Sequence, residues 1–299
     1  MSVRASIVSF VLRHTLKKQM ATFEDPAVMR RHAGLPGGRV PADVTVEPVD
    51  AGGVAAEWVY PRAHAADVAM LYLHGGGYVF GGLDSHRDIA WRLARESGIR
   101  VLVLDYRLAP EHRFPAAVED VTAGYRWLLE QGYAADRIVV AGDSAGGGLS
   151  MALMVNLKQL GVPGPNAAVL MSPWADLAMT GASMQANAAA DVMLSPEAIG
   201  KFASLYLGDG DARAPLASPV FADLSGLPPT YVIVGSHEVL RSDSETLVER
   251  ITAAGGKAEL KVWPNMPHVF PVLSAIIPEG RQAIGEMSAF TRSSLGLGR

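Results

Sequence analysis

Arg137-Ile138-Val139-Val140-Ala141 runs directly into Gly142-Asp143-Ser144-Ala145-Gly146. The first five residues make a short, β-branched apolar run of the kind a buried strand needs. Just beyond, Leu149-Ser150-Met151-Ala152-Leu153-Met154-Val155-Asn156-Leu157-Lys158 is long and apolar enough for a buried helix. The five residues between them have the form Gly-x-Ser-x-Gly. A serine on a sharp strand-to-helix turn sits in strained backbone geometry and points its hydroxyl outward. Residues two places away lie against the turn, where a Cβ clashes, and glycine avoids that. Composition alone gives roughly 0.2 chance matches to this pattern in a chain of this length. The strand before it and the helix after it make Ser144 a candidate nucleophile.

The rest of the chain bounds what that serine can belong to. With 299 residues and 49% hydrophobic content, there is material for one large α/β domain or a domain with an insertion. A net charge of −4 excludes the broadly basic surface of a nucleic-acid binder. The absence of cysteine excludes disulfides, thiolate nucleophiles and cysteine-ligated metals, and suits a reducing compartment. The histidines show no metal-ligand spacing, so neither metal nor cofactor is expected. The apolar stretch from Ile7 to Leu12 is short, contains Ser9, and is followed by Arg13, Lys17 and Lys18, unlike an export signal. No run approaches the ~18 apolar residues of a membrane span. These features predict a soluble cytoplasmic protein with no nucleic-acid partner and no stable membrane insertion.

Residues 4 to 20 read as a helix, with Val8, Leu12, Leu16 and Met20 in one row and Ile7 and Val11 beside it. Such a helix packs on its own domain, forms a flap over a site, or lies on a membrane surface. Pro36-Gly37-Gly38 reads as a linker. Val44 to Glu47 and Ala55 to Tyr60 flank Gly52-Gly53 as a hairpin. Ala69 to Leu73, Val101 to Leu104, Ile138 to Ala141, Ala167 to Met171, Tyr231 to Val234 and Glu259 to Trp263 complete eight strands. From the third onward, strands alternate with helical stretches, which predicts a mainly parallel sheet covered by helices on both faces. Ligands in such sheets sit beyond the carboxyl ends of the strands. Residues 176 to 213 break the alternation. Within them Ser195-Pro196-Glu197 starts a helix that places Ile199, Phe202, Leu205 and Tyr206 on one face and closes at Gly208. This insertion reads as a lid or as an ordinary connecting helix.

Each chemically able group falls just after a strand. His74-Gly75-Gly76-Gly77 follows the third. Consecutive glycines let main-chain N–H groups approach a ligand, either as oxyanion donors together with the N–H of Ala145, or as a nest for phosphate. No Gly-Lys-Ser/Thr accompanies them, and the serine elbow favours the oxyanion. His237 and His268 are the histidines after Ser144. His268 lies past the last strand, where a sheet-top base belongs, and His237 is read as a bystander. Glu238 follows the seventh strand and is the preferred acid. Asp243 is the reserve, placed to open the next helix, and Asp143 is expected to point away from the hydroxyl. The order Ser144, Glu238, His268 is that of the α/β-hydrolases.

Taken together, these parts resemble the bacterial hormone-sensitive-lipase family of esterases, sometimes called family IV. The matching stretches are His74 to Gly77, Gly142 to Gly147, Asp105-Tyr106-Arg107-Leu108-Ala109-Pro110-Glu111, Phe114-Pro115-Ala116-Ala117, the acid segment and the His268 loop. They span about residues 70 to 270. The resemblance implies an α/β-hydrolase core with a helical cap made from the N-terminus and an insertion. In domains, this means an N-terminal cap segment over 1–40 and a catalytic domain over 41–299 with a cap insertion at about 176–213. It implies hydrolysis of short- to medium-chain acyl esters, with Ser144 as nucleophile, His268 as base and Gly76, Gly77 and Ala145 as oxyanion donors. Phe202, Leu205 and Tyr206 are candidates to line the acyl pocket. One departure stands out: the family's acid segment begins with aspartate, proline and leucine, whereas Glu238-Val239-Leu240 stands here. Asp105 and Arg107 are read as structural pairing near the site. The expected partner is a small acyl ester, and relatives of this kind suggest a homodimer through the edge strand near 259–263. Two rival readings share the fold: a binding protein like the plant gibberellin receptors, which lack the histidine present here as His268, and a hydrolase of amides, peptides or lactones.

Overall fold

A computed structural model describes residues 1–33 and 39–298 of the chain. The expected linker at Pro36-Gly37-Gly38 lies outside them. Among the described residues, eight strands form one sheet: β1 (Val44–Asp50), β2 (Ala55–Pro61), β3 (Ala65–Leu73), β4 (Ile99–Leu104), β5 (Ile138–Asp143), β6 (Ala167–Met171), β7 (Thr230–Gly235) and β8 (Ala258–Trp263). Their order is β1-β2-β4-β3-β5-β6-β7-β8. β1 and β2 form the expected antiparallel hairpin, and β2 also runs antiparallel to β4. Every pair from β4 across to β8 is parallel. The eight strands are those read from the sequence, and the fold is the α/β-hydrolase fold.

The helices are α1 (Val3–His14), α2 (Leu16–Thr22), α3 (Pro26–Ala33), α4 (Leu83–Ser97), α5 (Ala116–Glu130), α6 (Ala145–Gln159), α7 (Ser183–Ala186), α8 (Pro196–Leu207), α9 (Arg241–Ala253) and α10 (Pro278–Ser294). They cover both faces of the sheet. On β3, Met70 and Tyr72 join a core with Ile89 and Leu93 of α4 and Met287 of α10. Leu71 and Leu73 point the other way and join Val121 and Leu128 of α5 and Leu149 and Leu153 of α6. A strand covered on both faces has no wet side, which is why these strands read as continuous apolar runs.

The single helix expected over residues 4 to 20 is two helices. Thr15 breaks it with φ −117° and ψ −79°, and its hydroxyl bonds back to the Val11 carbonyl at 2.8 Å. A side-chain bond of this kind competes with the helical ladder and bends the chain. The row Val8, Leu12, Leu16, Met20 still faces inward. α2 packs against α8. Lys17 Nζ donates to the carbonyls of Ala188 and Asp191, and the Arg13 guanidinium to those of Ala189 and Ala190. α8 begins as expected: Ser195 Oγ accepts from the Ala198 N–H at 3.3 Å, Pro196 takes the first helical position, and Gly208 closes the end at φ 58°. No helix among the described residues is long and apolar enough to cross a membrane.

Candidate active site

Ser144 sits between the end of β5 and the start of α6 with φ 52° and ψ −120°. Two main-chain bonds hold this strained conformation: its N–H donates to the Met171 carbonyl, and its carbonyl accepts from the Trp174 N–H, each at 2.8 Å. The glycines are needed for space. A Cβ on Gly142 would strike the carbonyl of Gly146, and a Cβ on Gly146 would strike that of Leu73.

His268 follows β8 in the loop that leads to Phe270–Leu273. Its Nε2 lies 2.9 Å from Ser144 Oγ and its Nδ1 2.7 Å from Glu238 Oε2. A carboxylate accepts only, so Nδ1 carries the proton and Nε2 is free to accept from the serine hydroxyl. Glu238 is fully buried. Its Oε1 accepts from the Ser172 hydroxyl at 2.8 Å and from the Gly235 N–H at 2.5 Å. Burial raises the Glu238 carboxyl above the ordinary carboxylate range, against the pull of His268 and the Gly235 N–H. Burial works to lower His268, but the charge and hydrogen bond of Glu238 outweigh it, and the imidazole ends above its ordinary value.

Gly76 and Gly77 follow β3 at φ 117° and 60°. Among the described residues, the N–H groups of Gly76, Gly77 and Ala145 have no protein acceptor. The loop is held from beneath. Asp143 points away from the hydroxyl, as expected, and accepts from the Gly75 N–H at 3.0 Å and the Tyr72 hydroxyl at 2.7 Å. Burial acts to raise Asp143, but His86, Tyr72 and His74 outweigh it and hold the carboxyl below its ordinary value. Burial, aided by His86, pulls His74 down to about 3, so a neutral imidazole stacks on Tyr106 with ring centroids 4.1 Å apart.

Above the serine lies a cavity of about 540 Å³, bounded below by Gly76, Gly77, Ser144 and His268. Its walls are apolar. Val8, Leu12, Leu16 and Met20 come from α1 and α2, and Met193, Leu194, Ile199 and Phe202 from the insertion. Phe202 lies in the wall. Leu205 and Tyr206 do not line it, which corrects the expectation drawn from their shared helix face. One turn beyond Phe202, Tyr206 stacks flat on Tyr78 at 3.8 Å and meets Phe114 edge-on. Leu205 is half-buried on the same stretch.

The remaining sequence candidates fall away from the serine. His237 is exposed. Asp243 is buried and accepts from the N–H groups of Ala175 and Asp176, each at 2.9 Å. Burial drives it well above the ordinary carboxylate range. Arg107 does pair with carboxylates, but with Asp120 and Glu119 of α5; Asp105 is not among its partners. Sequence reasoning missed Ser172. It follows β6 directly at φ 48°, so the rule that strand ends supply site residues points to it.

This fold, with a serine at a strained elbow, a histidine at hydrogen-bond distance and free main-chain donors beside it, defines a serine hydrolase. The α/β hydrolase fold family model matches residues 70–272. An acetyl-hydrolase of Streptomyces hygroscopicus is 45% identical over 261 residues, covering 87% of this chain and 86% of the relative. An esterase of Acinetobacter venetianus is 37% identical over 84% of this chain and 82% of its own length. The crystal structure of an esterase from the bacterial hormone-sensitive lipase family superposes with a TM-score of 0.94 at 44% identity, covering 99% of each chain. The chain belongs to the α/β-hydrolase family, in its bacterial hormone-sensitive-lipase branch, and is a carboxylesterase.

Proposed function

We propose that the enzyme cleaves short- to medium-chain acyl esters through an acyl-enzyme on Ser144. His268 takes the hydroxyl proton as Oγ attacks the ester carbonyl. Glu238 holds the imidazole in the required tautomer and stabilises the imidazolium. The developing oxyanion lies among the N–H groups of Gly76, Gly77 and Ala145. His268 then protonates the leaving alcohol, and water releases the acyl group by the same route. The observation that carries this reading is the unbroken chain Ser144 Oγ, His268, Glu238 at 2.9 and 2.7 Å beneath an apolar cavity. A cavity of about 540 Å³ lined mainly by apolar side chains is in the size range of small-molecule sites and suits an acyl chain. Residues 1–40 and about 176–213 act as the cap on a catalytic domain over 41–299.

The test is hydrolysis of p-nitrophenyl esters from acetate to decanoate by wild type and Ser144→Ala side by side. Loss of turnover in the variant is expected, with a rate maximum inside that range. Ordinary turnover by Ser144→Ala would remove the assignment, and a matched amide series separates esterase from amidase. A homodimer through the edge strand β8 is part of the same reading and is checked by light scattering. A cytoplasmic location, in keeping with the lack of cysteine, is checked by cell fractionation.

A further inference from the structure

The departure at the acid segment has a structural counterpart. Where the resembled family has proline, this chain has Val239, and valine brings a backbone N–H that proline lacks. That N–H donates to Asp191 Oδ2 at 2.9 Å, and both residues are buried. Asp191 belongs to the insertion. Its Oδ1 accepts from the N–H groups of Met193 at 2.8 Å and Leu194 at 2.9 Å, two residues of the cavity wall. Its carbonyl accepts from Lys17 Nζ at 2.6 Å. One residue thus joins the N-terminal helices, the cavity wall and the residue next to Glu238. Two more insertion side chains reach the same turn at four-residue spacing. Ser183 Oγ donates to the Val239 carbonyl at 2.6 Å, and Asn187 Nδ2 to the Glu238 carbonyl at 2.9 Å. Both polar main-chain groups of Val239 and the carbonyl of Glu238 are therefore held by the insertion.

We propose that Asp191 is a positioning residue for the reaction: it fixes the Glu238 turn from the insertion and, through Glu238, the orientation of His268. The proposal rests on the triad described above. A buried carboxylate accepting three N–H groups forms short, charge-assisted bonds and leaves little freedom to the turn. Glutamate reaches His268 through one more rotatable bond than aspartate, so the turn must be held more firmly for the same aim. Small displacements of a catalytic group lower the rate far more than they lower substrate binding. Asp191 also acts through its charge. With Glu238 and Asp143 it favours the imidazolium form of His268, while Lys17 and Arg13 sit on neighbouring insertion carbonyls and His237 adjoins Glu238.

The test compares Asp191→Asn, Val239→Pro and the double variant with wild type, by kcat, KM and the pH profile on p-nitrophenyl butyrate, and by thermal unfolding. In Asp191→Asn the amide oxygen can keep Met193 and Leu194, while the amide nitrogen meets the Val239 N–H donor to donor. A kcat loss of about tenfold or more at nearly unchanged KM is expected below the unfolding transition. The acid limb of kcat/KM moves to lower pH, because one negative charge is gone. Val239→Pro should give a similar kcat loss with Asp191 still charged. The double variant should lose little more than either single one, since the same bond is removed once. If Asp191→Asn does not fold, Val239→Pro carries the test alone. Wild-type kcat in either folded single variant, or fully additive losses in the double one, would overturn the proposal. Glu238→Gln separates the two readings. Its collapse beside an unaffected Asp191→Asn removes only this proposal, whereas wild-type turnover by Glu238→Gln removes the triad itself.

Discussion

Ser144 is held at a positive φ that only a few side chains tolerate, and its neighbours leave no room for a Cβ. Replacing it by alanine removes the attacking oxygen and leaves the turn in place, so turnover should fall about 10⁶-fold in steady-state assays. Gly76→Ala should act on the oxyanion instead. A Cβ there strikes the Phe80 carbonyl at a backbone φ of 117°, so the loop must shift and misplace its N–H groups. The expected loss is about 10²–10³ in kcat, with some loss of stability on thermal unfolding. The pH dependence follows from the direction of the His268 shift. The base works only when neutral, and its value is raised by Glu238, so kcat/KM should fall with decreasing pH through a midpoint above histidine's usual ~6.5. Glu238→Gln removes the raising charge. The midpoint should move to lower pH while the plateau drops about 10⁴-fold. At this scale, Ser144, Glu238 and His268 were legible from position after a strand. Asp143, Asp243 and Glu238 are all buried acids, and what sorts them is the partner each meets. Asp143 holds Gly75 and Asp243 holds the loop after β6, leaving Glu238 alone on the imidazole.

α8 shows how much of an element can be read and where reading stops. Its start, its first-position proline and its closing glycine are local chemistry, and all three fall where the sequence puts them. Ser195→Ala should lower stability by about 1 kcal/mol in chemical denaturation, because one N–H of the first turn loses its acceptor. The face was readable too, but not what lies opposite each turn of it. Phe202 meets the cavity, stacks on Phe23 at 5.0 Å and presses on Gly77. Tyr206, four residues on, meets Tyr78 instead. Phe202→Ala should enlarge the acyl end and move the p-nitrophenyl ester maximum to longer chains, whereas a change at Leu205 should leave the profile in place. Arg107 gives the same lesson in charge. Its need for carboxylates was clear from its setting, but α5 brings up Asp120 and Glu119.

Across the whole molecule, the ends of the strands carry the candidate reacting groups, while α1, α2 and the insertion carry much of the cavity wall, with Phe80, Val269, Val272 and Leu273 completing it. α1 and α2 bury only Ala5 and Met20, yet they supply one side of the cavity. Deleting residues 1–22 should therefore leave the sheet folded by circular dichroism. KM for the longer esters should rise about tenfold, the equivalent of ~1.4 kcal/mol of lost apolar contact. The sequence by itself determined the eight strands, the parallel class, the elbow and the candidates for the reacting residues. These follow from short-range rules: apolar runs make buried strands, glycines permit tight turns, and loops at the carboxyl ends of parallel strands converge on one edge. Only the tertiary structure decided the break at Thr15, the wall of the cavity, the partner of Arg107, and the insertion's hold on the turn beside Glu238. The break at Thr15 is local, a hydroxyl bonded back to the carbonyl four residues earlier; the others are contacts between separate elements, and spacing along a sequence carries no record of which group of another element will lie within hydrogen-bond reach.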